Sequence, residues 1–308
     1  MARRSSMTLL LAIFLLGCRP VQAPPTTAPS VSSPAAATMT SVPVTPTLQV
    51  ATLIRNAKYQ LGIPDSLQVV QLKDGKYEQG TAGSADYISV TLTDFIAAGD
   101  VDGDGKDEVA ALIAENSGGT GVFVFLTIYK MTGGTPTFLT SSIIDDRAQP
   151  NALSIENNEV FVDVTVHATD DPMCCPTLHT ARHYRLINGQ LDMADYSTFT
   201  PDGRPRTIKI ESPSSGTPVS NSIQVKGTVM IAPFENTLVF SLKDGAGVEL
   251  SRGAVQVAAA DPAAPGTFAA AIPLGKALTS GVIVLEIQDV SAADGSLQAM
   301  DSVELVVK

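Results

Sequence analysis

Carboxylates at alternate positions mark the stretch of this sequence best suited to chemistry, Gly99-Asp-Val-Asp-Gly-Asp-Gly-Lys-Asp-Glu108. Oxygen atoms from such positions can converge on one hard cation, and oxygen ligands are those that calcium prefers. A glycine after the third carboxylate allows the sharp turn that a calcium loop needs. The spacing therefore predicts a calcium site whose ligands are the side chains of Asp100, Asp102, Asp104 and Glu108 and the backbone carbonyl of Lys106.

This stretch departs from an EF-hand at the last ligand position. The terminal glutamate of an EF-hand loop would fall at Ala111, which cannot coordinate, whereas Glu108 leads directly into the strand-like run Val109–Ile113. The stretch instead resembles the Asp-x-Asp-Gly-Asp-Gly loops of FG-GAP-type and dockerin-like repeats. That resemblance implies a structural calcium ion that stiffens a turn between strands. The single copy does not predict a propeller, and an acidic turn without metal is the alternative.

A second cluster runs from His167 to His183 and holds all 3 histidines and two of the 3 cysteines. Thiolates and imidazoles bind zinc or copper, so His167, His179 and His183 are candidate ligands together with Cys174 and Cys175. Adjacent cysteines fit one tetrahedral ion poorly, and an oxidising compartment favours a disulfide between Cys174 and Cys175. A metal site, and thiols that stay reduced or pair between molecules, are the alternatives.

An export signal opens the chain. Arg3 and Arg4 precede the mostly apolar run Met7–Leu16, which is too short to span a bilayer and has the length of a signal-peptide core. The order Leu-Leu-Gly-Cys that follows resembles the lipobox of bacterial lipoproteins, in which the matching cysteine, here Cys18, is lipidated. We therefore expect a signal peptide over residues 1–17 and a lipid anchor at Cys18. An ordinary secretory signal with an incidental cysteine is the alternative.

Composition divides the rest of the chain into a tether and two domains. Residues 18–48 are rich in Pro, Thr and Ser and lack apolar periodicity, which predicts a disordered, extended tether. Residues 49–203 predict a mostly β domain of the α+β or β-sheet class. In it, apolar spacing predicts a helix over Val50–Leu61, and Val122–Met131 is the strongest strand.

Short, evenly spaced strands fill residues 206–308 and predict an immunoglobulin-like β-sandwich, so the fold class is mainly β. The predicted strands are Thr207–Glu211, Ser222–Met230, Thr237–Lys243, Ala254–Val257, Gly266–Ile272, Val282–Gln288 and Ser302–Val307. The ordered segments Ile210-Glu-Ser-Pro213, Val225-Lys-Gly227, Pro233–Thr237 and Gly266-Thr-Phe268 resemble the immunoglobulin-like domain of bacterial spore-germination proteins. The resemblance implies extracytoplasmic binding or assembly and supplies no catalytic residues.

These features together favour a membrane-anchored, extracytoplasmic lipoprotein that acts as a non-catalytic binding or scaffolding module of the cell envelope. Its expected partners are the membrane, through the lipid anchor, and an envelope protein or polysaccharide, on the outer face of the cell membrane or on the outer membrane. The net charge of −11 argues against nucleic acid as a partner. The alternative is an envelope hydrolase or metal-dependent enzyme that uses the His/Cys cluster, although the chain has no Gly-x-Ser-x-Gly, His-Glu-x-x-His or Ser-x-x-Lys motif.

Overall fold

The computed structural model describes residues 48–62, 68–275 and 281–308. The predicted signal peptide, the predicted lipidation site Cys18 and the predicted tether up to residue 47 lie outside the described residues. No helix in the described ranges has the length and apolar character needed to cross a membrane.

The described chain begins with a short helix and a two-stranded ladder. These elements are α1 (Leu48–Ile54), β1 (Lys58–Gln60) and β2 (Val69–Gln71). The predicted helix over Val50–Leu61 is therefore wrong in its second half. Ala57 and Leu61 fit a strand as well as a helix, and Tyr59 between them is also buried, which only the period of a strand explains.

Five antiparallel strands form the first large sheet, and they pair in chain order. They are β3 (Lys76–Gln79), β4 (Ile88–Gly99), β5 (Glu108–Asn116), β6 (Phe123–Thr132) and β7 (Thr135–Asp146). Strand β5 is buried on both faces. Ala110 and Leu112 pack in the core that faces β8–β10, whereas Val109 and Ile113 pack in the core beneath α1, β1 and β2. Burial on both faces explains why β5 is apolar almost throughout.

Four further antiparallel strands cover one face of that sheet. They are β8 (Gln149–Glu156), β9 (Glu159–Val166), β10 (Leu178–Ile187) and β11 (Gln190–Thr198). The two layers approach closely where β4 ends, because a Cβ atom at Gly99 would lie 2.7 Å from Ile155 Cγ2. Glycine at this position therefore allows the end of β4 to pack directly on β8.

The C-terminal strands form a two-layered sandwich around their own core. Its elements are β12 (Ile208–Ser212), β13 (Thr217–Val219), β14 (Ser222–Val229), a 3-10 turn (Phe234–Asn236), β15 (Thr237–Asp244), β16 (Glu249–Ala259), β17 (Gly266–Pro273), β18 (Gly281–Val290) and β19 (Leu297–Val307). Strand β14 contributes Ile223 to this core, and β15 and β18 contribute Leu238 and Leu285. The predicted fold class, mainly β with a C-terminal immunoglobulin-like sandwich, is confirmed.

One sheet crosses the predicted boundary between the two domains. Strand β19 pairs with β18 on one side and with β11 on the other, where Asp195, Tyr196 and Ser197 lie opposite Asp301, Met300 and Ala299. The resulting 12-stranded sheet runs from β12 to β8. The boundary near residues 203–206 stays a prediction, but strand pairing joins the two sides of it.

Candidate metal centre

The predicted calcium loop is the turn between β4 and β5. Gly99 and Glu108 are cross-strand partners, so residues 100–107 form the connection. The N–H groups of Gly103 and Gly105 donate to Asp100 Oδ1 and Oδ2 at 2.7 and 2.9 Å. Both glycines have positive φ angles of 76° and 80°. Residues with side chains rarely adopt such angles, so the two glycines let the backbone curl around the Asp100 carboxylate.

Three of the predicted ligands lie together. Asp100, Asp102 and Glu108 each offer a carboxylate oxygen within 4.8 Å of the other two. Asp104 is not in this group; its Oδ1 accepts a hydrogen bond from Lys106 N at 2.9 Å, and its Oδ2 lies 3.5 Å from Lys106 Nζ. The role of Asp104 and of the Lys106 carbonyl as ligands stays a prediction.

Glu108 is the buried member of the group, with none of its surface exposed. Its Oε2 accepts a hydrogen bond from Val101 N at 3.1 Å. Its Oε1 is buried and has no hydrogen-bond partner among the residues that the structure describes. Burial raises the pKa of Glu108, since a charged oxygen loses its hydration there. This oxygen is the atom that a bound cation would satisfy.

A lysine that the sequence analysis missed faces the same carboxylates. Lys130 lies on β6 directly opposite Glu108. Its Nζ is 2.8 Å from Asp102 Oδ2, 3.1 Å from Asp104 Oδ2 and 3.9 Å from Glu108 Oε1. The hydrogen bond from Lys130 lowers the pKa of Asp104. The ammonium group thus partly neutralises the turn but stays beyond hydrogen-bond distance of Glu108.

The donor set fits calcium. Every grouped ligand is a carboxylate oxygen, which suits a hard cation, whereas zinc and copper favour nitrogen and sulfur. The turn also borders the C-terminal sandwich, because Asp102 and Gly103 line a cleft of about 510 Å³ together with Ser214 and Asp301. A calcium ion held here would therefore stiffen a turn that lies beside residues of the C-terminal sandwich.

The cysteine loop lies between β9 and β10. The structure pairs Cys174 with Cys175 as a disulfide between adjacent residues. The loop contacts the C-terminal sandwich through Thr169, whose Oγ1 donates a hydrogen bond of 2.6 Å to Asp294 Oδ2. The cysteine pair therefore belongs to a segment that is fixed to the β18–β19 turn.

The three histidines do not share one site. His167 Nε2 lies 3.3 Å from the Met173 carbonyl oxygen in the cysteine loop. On β10, His179 Nε2 lies 2.7 Å from Asp163 Oδ1. His183 Nδ1 lies 3.3 Å from a Glu159 carboxylate oxygen, and that contact raises the pKa of His183. Within the described ranges, the acidic turn is the single place where three His, Cys, Asp or Glu side chains come close enough to share an ion.

Comparison with known proteins identifies the C-terminal domain. Residues 207–296 match the family described as the immunoglobulin-like domain of bacterial spore germination (Gmad2). The predicted resemblance of this domain is confirmed. No curated protein matches the chain. The matched segment runs from the start of β12 to the β18–β19 turn, and a domain of this family is consistent with a non-catalytic binding module.

Proposed function

We propose that this chain is a lipid-anchored, extracytoplasmic protein that serves the bacterial envelope as a non-catalytic binding or scaffolding module. The observation that carries the proposal is an immunoglobulin-like domain of a bacterial family in the same sheet as the first domain. A shared sheet gives the binding loops of the sandwich a broad, rigid support. Rigid support reduces the entropy lost on binding.

The anchor in this proposal is Cys18, which follows Leu15-Leu16-Gly17. Two or three acyl chains would hold the protein stably, because each buried methylene contributes about 0.8 kcal/mol. The test is metabolic labelling with palmitate of cells that express the full chain or its Cys18→Ser variant. Label in the parent and none in the variant is expected, and equal label in both would contradict the anchor.

The proposed calcium ion is held by Asp100, Asp102 and Glu108, with Asp104 and the Lys106 carbonyl as further oxygen donors. Calcium supplies the positive charge that the buried Oε1 of Glu108 lacks. Lys130 competes with the ion, because its ammonium group lies against two of the same carboxylates. Calcium binding therefore requires the Lys130 side chain to move aside.

Calorimetry on metal-free protein tests the calcium site. Calcium should bind the wild type, and Asp102→Ala should abolish binding, whereas the exposed Asp107→Ala in the same turn should retain it. Lys130→Met should bind calcium more tightly than the wild type, because the competing cation is gone. Absence of binding up to millimolar calcium in both the wild type and Lys130→Met would overturn the site.

The alternative, an envelope hydrolase or metal-dependent enzyme, depended on the His/Cys cluster. Its support is weaker, because His167, His179 and His183 each contact a different partner. Neither a carboxylate–histidine pair nor a disulfide is by itself a catalytic arrangement.

A further inference from the structure

The loops at one end of the C-terminal sandwich enclose a groove of about 830 Å³. Three connections form it: β14–β15, β16–β17 and β18–β19. Ligand sites in proteins commonly have volumes of about 300–1,000 Å³ and mostly apolar walls. The walls of this groove fit that description, and they include Ile231, Pro233, Phe234, Pro262, Ala263 and Ala292.

Phe234 stands at the rim of the groove with 70% of its surface exposed. The two residues that follow it, Glu235 and Asn236, have φ angles of 55° and 53°. A left-handed conformation is unfavourable for glutamate, so the backbone that presents Phe234 is strained. Backbone strain and exposure of an aromatic ring to water both lower the stability of the folded protein. Such features are found mainly at binding sites, where contact with a ligand makes use of them.

A buried carboxylate forms the polar part of the groove. Asp289 lines it and is only 7% exposed. The nearest cation is Arg206, whose Nη1 lies 3.9 Å from Asp289 Oδ2, beyond hydrogen-bond distance. Burial raises the pKa of Asp289, so its charge is poorly compensated where it stands.

The loops around the groove are acidic. Their carboxylates are Glu235, Asp261 and Asp294, and residues 230–236, 260–265 and 291–296 contain neither Lys nor Arg. Glu235 and Asp289 line the groove itself, against the guanidinium of Arg206, and Asp261 and Asp294 lie in the loops that form it. A basic ligand would gain from this charge distribution, and an acidic polymer would be repelled.

The first domain holds one wall of the groove in place. Asp294 accepts a hydrogen bond from Thr169, and it also accepts bonds from the N–H and the hydroxyl of Ser296, at 3.1 and 2.8 Å. These bonds hold the β18–β19 turn in shape from within and also attach it to the loop between β9 and β10. A site that is already ordered loses less entropy when its ligand binds.

We propose that this groove is the docking site for an extended peptide segment of an envelope protein, one that carries apolar side chains and a basic side chain. The apolar side chains would pack on Phe234, Pro233 and Pro262, and the basic side chain would pair with Asp289. A polysaccharide is a poorer fit, because the walls are mostly apolar and offer few hydrogen-bonding groups to sugar hydroxyls. The inference rests on the proposed binding function and names its site and its class of partner.

The test uses the purified full chain and a positional-scanning library of immobilised decapeptides, with peptidoglycan fragments as a second set of probes. Peptides with Leu, Ile or Phe near Lys or Arg should be selected, and peptides with Glu in place of the basic residue should not. Selection of acidic peptides, of peptides without apolar residues, or of none would overturn the proposal. Binding to the glycan fragments alone would also overturn it, while leaving the broader binding function intact.

Two variants and one control locate the binding. Phe234→Ser should weaken the selected peptide at least about tenfold, as expected for a central aromatic contact. Asp289→Asn should remove the preference for Lys or Arg and keep the preference for apolar residues. Met230→Ser alters an exposed apolar residue that precedes the groove and is not part of its lining, so it should leave binding unchanged. Equal binding by all four proteins would place the site elsewhere, and thermal unfolding checks that each variant is folded.

Discussion

The two ends of strand β5 carry two glutamates that are equally buried and differently supported. Glu115 and Glu108 both have none of their surface exposed. Glu115 Oε2 accepts hydrogen bonds from the Tyr59 hydroxyl and from Gly62 N, each at 3.0 Å. Its Oε1 accepts a hydrogen bond from Ser117 Oγ at 2.8 Å. Glu108 Oε2 accepts a hydrogen bond from Val101 N, and its other oxygen has no hydrogen-bond partner in the described ranges.

The difference shows what each carboxylate requires. A buried charge is tolerated when hydrogen-bond donors surround it, and it is costly when they do not. The donors to Glu115 come from the chain itself, from Tyr59 and Gly62 in the N-terminal segment and from Ser117 just after β5, so this carboxylate can be structural without any ion. Glu108 lies among Asp100 and Asp102, which add negative charge, so we propose a bound cation as the partner of its free oxygen. The comparison therefore separates a structural glutamate from a candidate calcium ligand on the same strand.

The largest loss of stability is expected at the end of β5 that carries Glu115. Glu115→Ala removes the acceptor of the Tyr59 hydroxyl and of Gly62 N, and it should lower the free energy of unfolding by about 3–4 kcal/mol. The loss should be the same with and without calcium. Urea unfolding measures it, and a loss confined to calcium-free conditions would break the distinction between the two glutamates.

At the other end of β5, Glu108→Gln should remove only the stability that calcium binding adds. The wild type should gain about 3 kcal/mol of stability at a calcium concentration one hundred times its Kd. The glutamine keeps the shape and loses the charge, so this gain should vanish while calcium-free stability stays the same or rises. The matched control is Asp107→Asn, which is exposed in the same turn and should keep the gain. An undiminished gain in Glu108→Gln would remove this residue from the ligand set.

A second pair of carboxylates extends the comparison to the pairing of β11 with β19. Asp195 and Asp301 lie opposite each other on β11 and β19. Burial, with the charge of Asp301, raises the pKa of Asp195 to about 7, and burial raises the pKa of Asp301 to about 6. His183 and Glu159 also face the pair, and Arg185 lies nearby. Both pKa values exceed those of the unfolded chain, so the native state binds protons more tightly.

The stability that these two groups contribute should therefore be fully present below about pH 4, and it should be lost as the pH rises through about 6 to 7 and they ionise. Asp195→Asn should flatten this decline and should be more stable than the wild type at pH 8, by roughly 1–2 kcal/mol after allowance for solvent screening. Urea unfolding at pH 5, 6.5 and 8 measures the effect. The exposed Asp170→Asn should follow the wild type, and an Asp195→Asn curve parallel to the wild type would contradict the account.

Local patterns predicted much of this fold, because each strand of the sandwich carries its own alternation and turn signals. The prediction Ser222–Met230 differs from β14 (Ser222–Val229) by one residue, and Gly266–Ile272 differs from β17 (Gly266–Pro273) by one. The error in the helix over Val50–Leu61 has a physical cause. Apolar residues four apart satisfy both the helical and the strand period, and the buried Tyr59 alone distinguishes them.

Contacts between distant segments could not be predicted from such patterns. Lys130 reaches the acidic turn only because β5 and β6 pair in the register that sets it opposite Glu108. The pairing of β11 with β19 joins segments on either side of the predicted boundary, and no local signal announces it. The groove beside Phe234 likewise needs three loops that are far apart in the sequence. Each of these features depends on tertiary register, which a single sequence does not reveal.

The smallest loss of stability is expected in the cysteine loop, which is closed by a covalent bond and not by an ion. The disulfide between Cys174 and Cys175 encloses a very short ring, so it removes little entropy from the unfolded chain, and replacing both residues by serine should cost about 1 kcal/mol or less. Protein from an oxidising compartment should gain about 2 Da on reduction, as two thiols form. It should also contain no stoichiometric zinc or copper. Free thiols together with one bound zinc or copper ion would instead make His167, His179 and His183 candidate ligands. The cysteine loop would then depend on a metal ion, as the acidic turn around Glu108 is proposed to do.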